Sequence, residues 1–287
     1  MRSIIIVIVF FLLSSCDSNS TDPPPPSLAG TGDSSIQWDG ETRRYQLYVP
    51  PSYDPAVPAP IIVAFHGQGS DSKDMQSKTD LDAAAGGIGA IVAYLDDLTG
   101  DWAEGCDCAQ ADALGVDDVG FAGAVIDEIT ASYNIDSRRV YAVGFSIGGL
   151  FAQRIACDSS SRFEGVVSIA STMSVPLSTN CAPSDPVKVT VVLGSQDPVF
   201  PWNGTSVGIF SVLSVDAMTS EWITNNSCAS TPVQRQTSLG SLPVATSIYA
   251  TCEGGGAFVL HRVEGGEHFW YPGTGGLVAE FVAGSSQ

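Results

Sequence analysis

Short apolar runs alternate with amphipathic stretches along most of the chain. Six runs of four to seven residues are rich in Val, Ile and Ala, which is typical of strands buried on both faces of a parallel sheet. The predicted strands are 61–65, 90–94, 140–143, 165–170, 187–193 and 257–263, and the predicted helices are 116–133, 147–157 and 215–225. This alternation predicts an α/β fold with one mostly parallel sheet that helices cover on both faces.

The N-terminal part of the chain has a different pattern. Residues 4–13 are all apolar, and the run is too short to span a bilayer, so it predicts the core of a signal peptide. It leads into Leu13-Ser14-Ser15-Cys16, which matches the lipobox of bacterial lipoproteins and makes Cys16 the expected lipidation site. Ordinary secretion with cleavage nearby is the alternative. We expect a signal peptide over 1–16, a Pro- and Ser-rich linker over 17–35 and a single domain over 36–287.

The charge balance limits the partners that the chain can have. It contains 31 acidic and 12 basic residues, which give a formal net charge of −19. Such a charge opposes binding to nucleic acid or to an anionic membrane surface. This leaves the lipid anchor as the expected contact with the membrane. From the signal peptide we expect an exported protein at the cell surface or in the periplasm, and we expect it to be a monomer. Without the anchor the protein would be secreted.

Six cysteines remain when Cys16 is set aside, and an even number in an exported chain predicts disulfides. The sequence alone leaves their connectivity open. No histidine has ligand spacing to these cysteines, so neither a metal nor another cofactor is expected. The pairs that proximity along the chain favours are Cys157–Cys181 and Cys228–Cys252, which leave Cys106–Cys108 as a tight ring.

The pentapeptide Gly144-Phe145-Ser146-Ile147-Gly148 lies between the predicted strand 140–143 and the predicted helix 147–157. A G-x-S-x-G turn in this context is typical of a nucleophile elbow, which holds a serine in a strained backbone conformation with its Oγ exposed. The next N–H, that of Ile147, lies at the N-terminus of the helix. Gly and Ser are common in loops, so the motif alone is a weak signal, but its context predicts Ser146 as a nucleophile.

A nucleophilic serine needs a base, and the chain has three histidines. His261 falls inside the predicted strand 257–263, where a structural role is expected. His66 opens an H-G-Q-G turn after strand 61–65, which has the form of an oxyanion loop with an N–H near Gln68. His268 lies in a Gly-rich loop after the last strand and is the predicted general base.

Asp197 is the predicted third member of a triad. It follows strand 187–193, and catalytic groups gather at the carboxyl ends of strands in open α/β sheets. Its role would be to hold the imidazole of His268 in the correct tautomer. The alternative is that Asp197-Pro198 merely begins a turn. The chain order Ser, Asp, His is that of α/β-hydrolases. The rival carboxylates are Asp158, Asp185 and Asp216.

Several motifs together resemble a secreted esterase family that includes polyhydroxybutyrate depolymerases and feruloyl esterases and is similar to carbohydrate esterase family 1. The resemblance implies an α/β-hydrolase fold, the triad Ser146, Asp197 and His268, and an oxyanion hole formed by the N–H groups of Gln68 and Ile147. It also implies an ester of a hydroxycinnamate, an acetylated sugar or a hydroxyalkanoate as substrate. The motifs are H-G-Q-G, 117–121, 138–141 with G-F-S-I-G-G, 194–198 and 265–270.

The chain departs from this family at two positions close to the expected substrate. The elbow has S-I-G-G where many relatives have S-N-G, and the histidine loop has G-E-H-F-W where G-H-T-W is usual. Neither departure removes a catalytic group. Trp202 and Trp270 closely follow Asp197 and His268, and together with Trp102 they are expected substrate contacts, the alternative being that they pack the loops.

These observations predict an exported serine carboxylesterase that acts on feruloyl or acetyl esters of plant polysaccharide. Few residues separate strands 165–170 and 187–193, so we expect no large cap domain and an open site. A polyhydroxybutyrate or polyester depolymerase is the alternative activity, and a peptidase on the same fold is less favoured. A non-catalytic surface binding protein on a hydrolase scaffold is the non-enzymatic alternative.

Overall fold

The computed structural model describes residues 29–208 and 210–284. Within these ranges the chain forms twelve strands and eight helices. The strands are β1 Gly30–Trp38, β2 Glu41–Val49, β3 Ala59–Phe65, β4 Ile91–Leu95, β5 Ile135–Phe145, β6 Gly165–Ile169, β7 Lys188–Gly194, β8 Thr205–Val207, β9 Phe210–Val212, β10 Val233–Leu239, β11 Leu242–Tyr249 and β12 Ala257–Val263. The helices are α1 Ser72–Lys78, α2 Leu81–Gly87, α3 Gln110–Leu114, α4 Asp118–Ser132, α5 Ile147–Asp158, α6 Val175–Asn180, α7 Val215–Asn225 and α8 Thr274–Val282.

Ten of the described strands form one sheet in the order β1-β2-β4-β3-β5-β6-β7-β12-β11-β10. The central strands from β4 to β12 are parallel to their neighbours. An antiparallel pair of strands extends the sheet at each side. The six strands predicted from the apolar runs form this parallel centre, so the predicted fold class is confirmed.

Alternate residues of β3 supply the two cores of the molecule. Ile61, Val63 and Phe65 pack in a layer with residues of α4, α5 and α7 on one face of the sheet. Ile62 and Ala64 pack on the other face with residues of α1, α2 and α8. All five side chains are fully buried, which explains why the strand has a continuous apolar run instead of an alternating pattern.

The folded part of the chain begins earlier than predicted. Residues 30–35 were expected in the linker, but they belong to β1, which pairs along its whole length with β2. The composition resembles a linker because β1 is an exposed edge strand whose small polar residues are held by backbone hydrogen bonds. Residues 1–28, which contain the predicted signal peptide, Cys16 and most of the predicted linker, lie outside the described residues. Among the described helices, none has the length and hydropathy needed to span a bilayer.

Three disulfides join the six cysteines of the folded domain. They are Cys157–Cys181 and Cys228–Cys252, the two pairs that proximity along the chain favoured, and Cys106–Cys108, the pair that these two leave. Cys157 lies near the end of α5 and Cys181 directly after α6, so this bridge fixes the short segment between β6 and β7. That segment contains only the six residues of α6 as regular structure, and no cap domain is inserted there.

Candidate active site

Four strands deliver polar groups to one edge of the sheet. Ser146 follows β5, Asp197 lies in the turn after β7, His268 follows β12, and the H-G-Q-G turn follows β3. These strands are parallel, so their carboxyl ends lie at the same edge. The sheet therefore brings together residues that are up to about 200 positions apart in the sequence.

Ser146 occupies a sharp turn between β5 and α5. Its φ is 57° and its ψ is −119°, a conformation that non-glycine residues rarely adopt, and its N–H donates to the Ile169 carbonyl at 2.9 Å. A Cβ on Gly144 would overlap the Gly148 carbonyl, and a Cβ on Gly148 would overlap the Phe65 carbonyl. The two glycines of the G-x-S-x-G motif are therefore required by close backbone contacts on both sides of the serine.

Ser146, His268 and Asp197 form one hydrogen-bonded chain. The Nε2 atom of His268 lies 2.9 Å from Ser146 Oγ, and its Nδ1 atom lies 2.8 Å from Asp197 Oδ2. Asp197 is 3% exposed. Its Oδ1 accepts from the N–H groups of Val199 and Phe200 at 2.8 and 2.9 Å. The contacts of Asp197 fit both interpretations, since one oxygen stabilises the turn and the other contacts the histidine.

The rival carboxylates have other partners. Asp158 forms an ion pair with Arg154 at 3.0 Å, and Asp185 accepts a hydrogen bond from Ser184 at 3.1 Å. Asp216 lies in the first turn of α7. None of these three carboxylates contacts His268, for which Asp197 is the carboxylate partner within the described residues.

The loop that carries His268 is held by contacts that the local sequence does not indicate. The Phe200 ring stacks on the imidazole with centroids 5.9 Å apart, and the Phe145 ring lies 5.3 Å away on a tilt. Asp80 accepts from Trp270 Nε1 at 2.7 Å and from the N–H groups of Gly273 and Gly275 at 2.8 and 2.9 Å. Asp80 precedes α2, far from this loop in sequence, so no local signal identifies it as an anchor.

The H-G-Q-G turn approaches Ser146 from β3. The N–H groups of Gln68 and Ile147 form no hydrogen bond with another described residue, and both residues border a cleft that Ser146 also lines. Two contacts fix the turn. Trp102 Nε1 donates to the His66 carbonyl at 3.0 Å, and His66 Nδ1 lies 2.9 Å from the Gly67 carbonyl. The arrangement fits the predicted oxyanion loop.

Ser146 and Gln68 line two clefts. The first, about 430 Å³, is also lined by His268 and Trp270, and its walls are mostly apolar with several polar side chains among them. The second, about 350 Å³, has mostly apolar walls. The polar residues of the first cleft include Ser70, Asp74, Lys78 and Thr79, and the apolar residues of the second include Ala109, Ile147, Val199, Phe200 and Phe210. Ser146 is half-buried and lines both clefts.

The three tryptophans that were predicted to contact the substrate lie in three different places. Trp270 borders the first cleft as expected. Trp102 does not reach either cleft, because it is fully buried and its ring stacks on Phe151 with centroids 5.2 Å apart. Trp202 lines a different cleft, where the Arg262 guanidinium lies 4.8 Å from its ring centroid. The alternative in which tryptophans pack the loops is therefore correct for Trp102 and Trp202, and sequence reasoning missed the aromatic residues Phe200 and Phe210.

One cluster has the composition of a metal site without its chemistry. Ligand atoms of Glu104, Cys106 and Cys108 lie within 4.8 Å of one another. The two sulfur atoms are joined in a disulfide, so neither is a thiolate that could bind a metal ion. His261, the remaining histidine, is buried in β12 and contacts Thr246 Oγ1 at 2.9 Å, as expected for a structural histidine.

Comparisons with known proteins reveal esterases as relatives. No family model matches the chain. A protein of Nocardia uniformis subsp. tsuyamanensis that carries an esterase name, NocK, is 35% identical over 169 residues, which cover 58% of this chain and 48% of the relative. Feruloyl esterase B of Piromyces equi is 28% identical over 242 residues, which cover 78% of this chain and 42% of the relative. The chain thus spans less than half the length of these two relatives.

Solved structures with the same fold also include esterases. An acetyl xylan esterase from Aspergillus awamori superposes with a TM-score of 0.61 at 14% identity, covering 88% of this chain and 99% of its own. A feruloyl esterase module from Clostridium thermocellum superposes with a TM-score of 0.57 at 13% identity, covering 92% and 88%. These likenesses confirm the α/β-hydrolase fold. Together with the sequence relatives, they support the α/β-hydrolase esterase family, as the sequence motifs predicted.

Proposed function

We propose that this protein is a serine carboxylesterase whose nucleophile is Ser146. The observation that carries the proposal is the continuous hydrogen-bonded chain from Ser146 through His268 to buried Asp197. The N–H groups of Gln68 and Ile147 lie beside the same serine and have no other described partner. This is the arrangement that acyl transfer needs: a nucleophile, a base oriented by a carboxylate, and donors for an oxyanion.

The geometry supports a two-step reaction. Ser146 Oγ attacks the ester carbonyl carbon while His268 Nε2 accepts its proton, and the N–H groups of Gln68 and Ile147 stabilise the negative carbonyl oxygen. The tetrahedral intermediate collapses, the C–O bond to the alcohol breaks, and His268 returns the proton to the leaving oxygen. A water molecule then gives one proton to His268 Nε2 while its oxygen attacks the acyl carbon. The second tetrahedral intermediate collapses, the C–O bond to Ser146 Oγ breaks, and His268 returns the proton to Ser146 Oγ, which releases the acid.

The two clefts support an assignment of the two halves of the ester. The leaving oxygen receives its proton from His268, so the alcohol must lie in the first cleft, which His268 lines. The acyl group stays on Ser146 and has the second, mostly apolar cleft available to it. An alcohol with hydroxyl groups can contact the polar side chains Ser70, Asp74 and Lys78 of the first cleft, and an apolar acyl group suits the second.

This division favours an aromatic acyl ester of a carbohydrate. Relatives named feruloyl esterase support a hydroxycinnamoyl group, and a relative from Neocallimastix patriciarum named bifunctional acetylxylan esterase/xylanase supports an acetyl group on xylan. Hydrolysis of feruloyl or acetyl esters of plant polysaccharide is thus the proposed activity. Polyester hydrolysis stays the alternative, since Phe269 and Val199, next to His268 and near Asp197, are exposed apolar side chains that an apolar polymer could contact.

The compartment is part of the proposal. Disulfides form and persist in oxidising environments, so the three bridges support export. Lipid attachment at Cys16, which lies outside the described residues, stays a prediction, as does a monomeric state.

The experiment that tests the activity compares the purified protein with its Ser146→Ala variant on three ester classes: methyl ferulate, acetylated xylan oligomers and hydroxybutyrate oligomers. We expect turnover of at least one of the first two by the wild type and a loss of roughly 10³-fold or more in the variant, at an unchanged thermal transition. Near wild-type activity of Ser146→Ala would exclude this nucleophile. A folded wild type without turnover of any ester would instead favour the binding-protein alternative.

A further inference from the structure

Glu104 is a buried carboxyl group that the proposed reaction does not use. It lies between β4 and α3, is fully buried, and lines the second cleft together with Ser146 and Ile147. Its Oε1 is 3.3 Å from Cys106 Sγ, a disulfide sulfur that has no proton to donate. Its Oε2 has no hydrogen-bond partner among the described residues. A buried oxygen without a hydrogen bond destabilises the fold unless a ligand supplies the missing bond.

The surroundings keep this carboxyl protonated. The pKa of Glu104 is raised to about 9, mainly by burial, which its own backbone N–H partly opposes and the negative charges of Asp112, Asp101 and Asp118 reinforce. Two of these carboxylates have cationic partners, since Arg154 pairs with Asp112 and Arg43 with Asp118. Among the described residues that line the second cleft, none is basic. At neutral pH, Glu104 therefore carries an O–H donor beside the cleft.

The backbone around Glu104 is held on both sides. The N–H of Ala103 donates to Asp118 Oδ2 at 2.9 Å, and the same carboxylate binds Arg43 at 2.6 Å. The next N–H, that of Gly105, donates to Asp112 Oδ1 at 3.1 Å. These contacts fix the backbone on which the Glu104 side chain is carried, and a buried donor with a fixed backbone can discriminate between ligands that can and cannot accept from it.

We propose that Glu104 determines acyl specificity by donating a hydrogen bond to an ether or hydroxyl oxygen carried by an aromatic acyl group in the second cleft. The proposal rests on the esterase activity proposed above. The apolar walls formed by Val199, Phe200 and Phe210 suit a ring, and Glu104 is the fully buried polar side chain beside them. An acyl ring without such an oxygen leaves Glu104 unpaired and should react more slowly.

The test uses pairs of esters of equal size that differ in one oxygen. Methyl methoxycinnamates are compared with the matching methyl ethylcinnamates, substituted at ring position 3 or 4, and the ratio of their kcat/KM values is measured. We expect the wild type to prefer one methoxy ester by roughly tenfold or more. Glu104→Leu should bring this ratio close to one, whereas Glu104→Gln, whose amide N–H can donate, should retain most of it. A ratio in Glu104→Leu equal to that of the wild type would overturn the proposal.

The pH dependence of this kcat/KM ratio in the wild type tests the proposal even if Glu104→Leu fails to fold. Methoxy and ethyl groups do not titrate, so the wild-type ratio should stay level below pH 8 and fall as the pH rises through about 9, where Glu104 loses its proton. In Glu104→Gln the ratio should not change with pH. A wild-type ratio that stays constant to pH 10 would refute the proposal. Asp82→Asn, which removes a carboxyl bound to Tyr94 and outside both clefts, is the control and should keep the wild-type ratio.

A third substrate separates failure of this inference from failure of the proposed function. Phenyl acetate has a small acyl group that does not require the second cleft. If the wild type hydrolyses phenyl acetate but neither cinnamate series, the esterase activity holds and the aromatic acyl assignment is wrong. If it hydrolyses none of these esters, the proposed function is wrong together with the role of Glu104.

Discussion

The two carboxyl groups beside Ser146 differ in what their oxygens contact. Asp197 has an N–H or ring nitrogen partner for each oxygen, whereas Glu104 has one oxygen without a described partner. A buried carboxyl group that receives no hydrogen bond takes up a proton. Two acidic residues near one serine can therefore have separate roles, Asp197 to orient the base and Glu104 to contact the acyl group.

Asp197→Asn tests the orienting role at the residue scale. The asparagine oxygen can still accept from the Val199 and Phe200 N–H groups, but its NH₂ would then face His268 Nδ1 and favour the tautomer with a proton on Nε2. That tautomer cannot accept a proton from Ser146, so we expect kcat on a responsive ester to fall by roughly 10⁴-fold with little change in the thermal transition. The matched control Asp185→Asn should keep the wild-type rate, and an unchanged rate in Asp197→Asn would assign the acid to another residue.

The sequence predicts those site residues that stand in a recognisable local pattern. Ser146, Asp197 and His268 each follow an apolar strand in a turn, and parallel strands bring such turns to one edge. Glu104, Asp80 and the aromatic residues of the second cleft could not be found in this way. Their roles depend on burial and on contacts between distant segments, such as that of Asp80 with Trp270, for which the local pattern has no signal.

At the scale of elements, the parallel centre of the sheet was predictable and its edges were not. Strands β3 to β7 and β12 are buried on both faces, so continuous apolar runs reveal them. Strand β10 is almost entirely exposed, and β1 is polar with few buried positions. Such edge strands are held by backbone hydrogen bonds to a neighbour, and their side chains resemble those of loops and linkers.

His261 in β12 gives a prediction at this scale. Burial lowers its pKa to about 4, whereas it would be near 6.5 in the unfolded chain. Between these pH values the unfolded state binds more protons than the folded state, so the free energy of unfolding falls as the pH is lowered from 6.5 to 4. The variant His261→Gln lacks this contribution. Between pH 6.5 and pH 4 we expect its free energy of unfolding to fall by about 3 kcal/mol less than that of the wild type, as measured by urea unfolding. Equal losses in both proteins would show that His261 is protonated freely in the fold.

At the scale of the whole molecule, one domain is covered by helices on both faces of the sheet and cross-linked by three disulfides. The sequence left the connectivity open, and the two pairs that proximity along the chain favoured are formed, each with a separation of 24 residues. The start of the domain was predicted too late, because β1 begins at Gly30, in a stretch that has the composition of a linker. Composition shows that these residues have no apolar face to bury. It does not show that they pair as an edge strand, because that pairing uses backbone hydrogen bonds.

The disulfides make a graded prediction about stability. In the chain-entropy account, bridges of equal separation restrict the unfolded chain equally, so replacing either Cys157–Cys181 or Cys228–Cys252 by alanine pairs should cost about 3 kcal/mol. Replacing Cys106–Cys108, with a separation of 2, should cost roughly half as much. Urea unfolding of the three double variants tests the order. A largest loss for the Cys106–Cys108 variant would contradict it.

The central claim is that Ser146 is an activated nucleophile, and covalent labelling tests it most directly. The purified protein is incubated with a fluorophosphonate, and the adduct is located by intact mass and peptide mapping, with Ser146→Ala and Asp197→Asn treated alongside. We predict one adduct per chain on Ser146, none in Ser146→Ala and much slower labelling in Asp197→Asn. A wild type that stays unlabelled, or an adduct on another residue that persists in Ser146→Ala, would contradict the account.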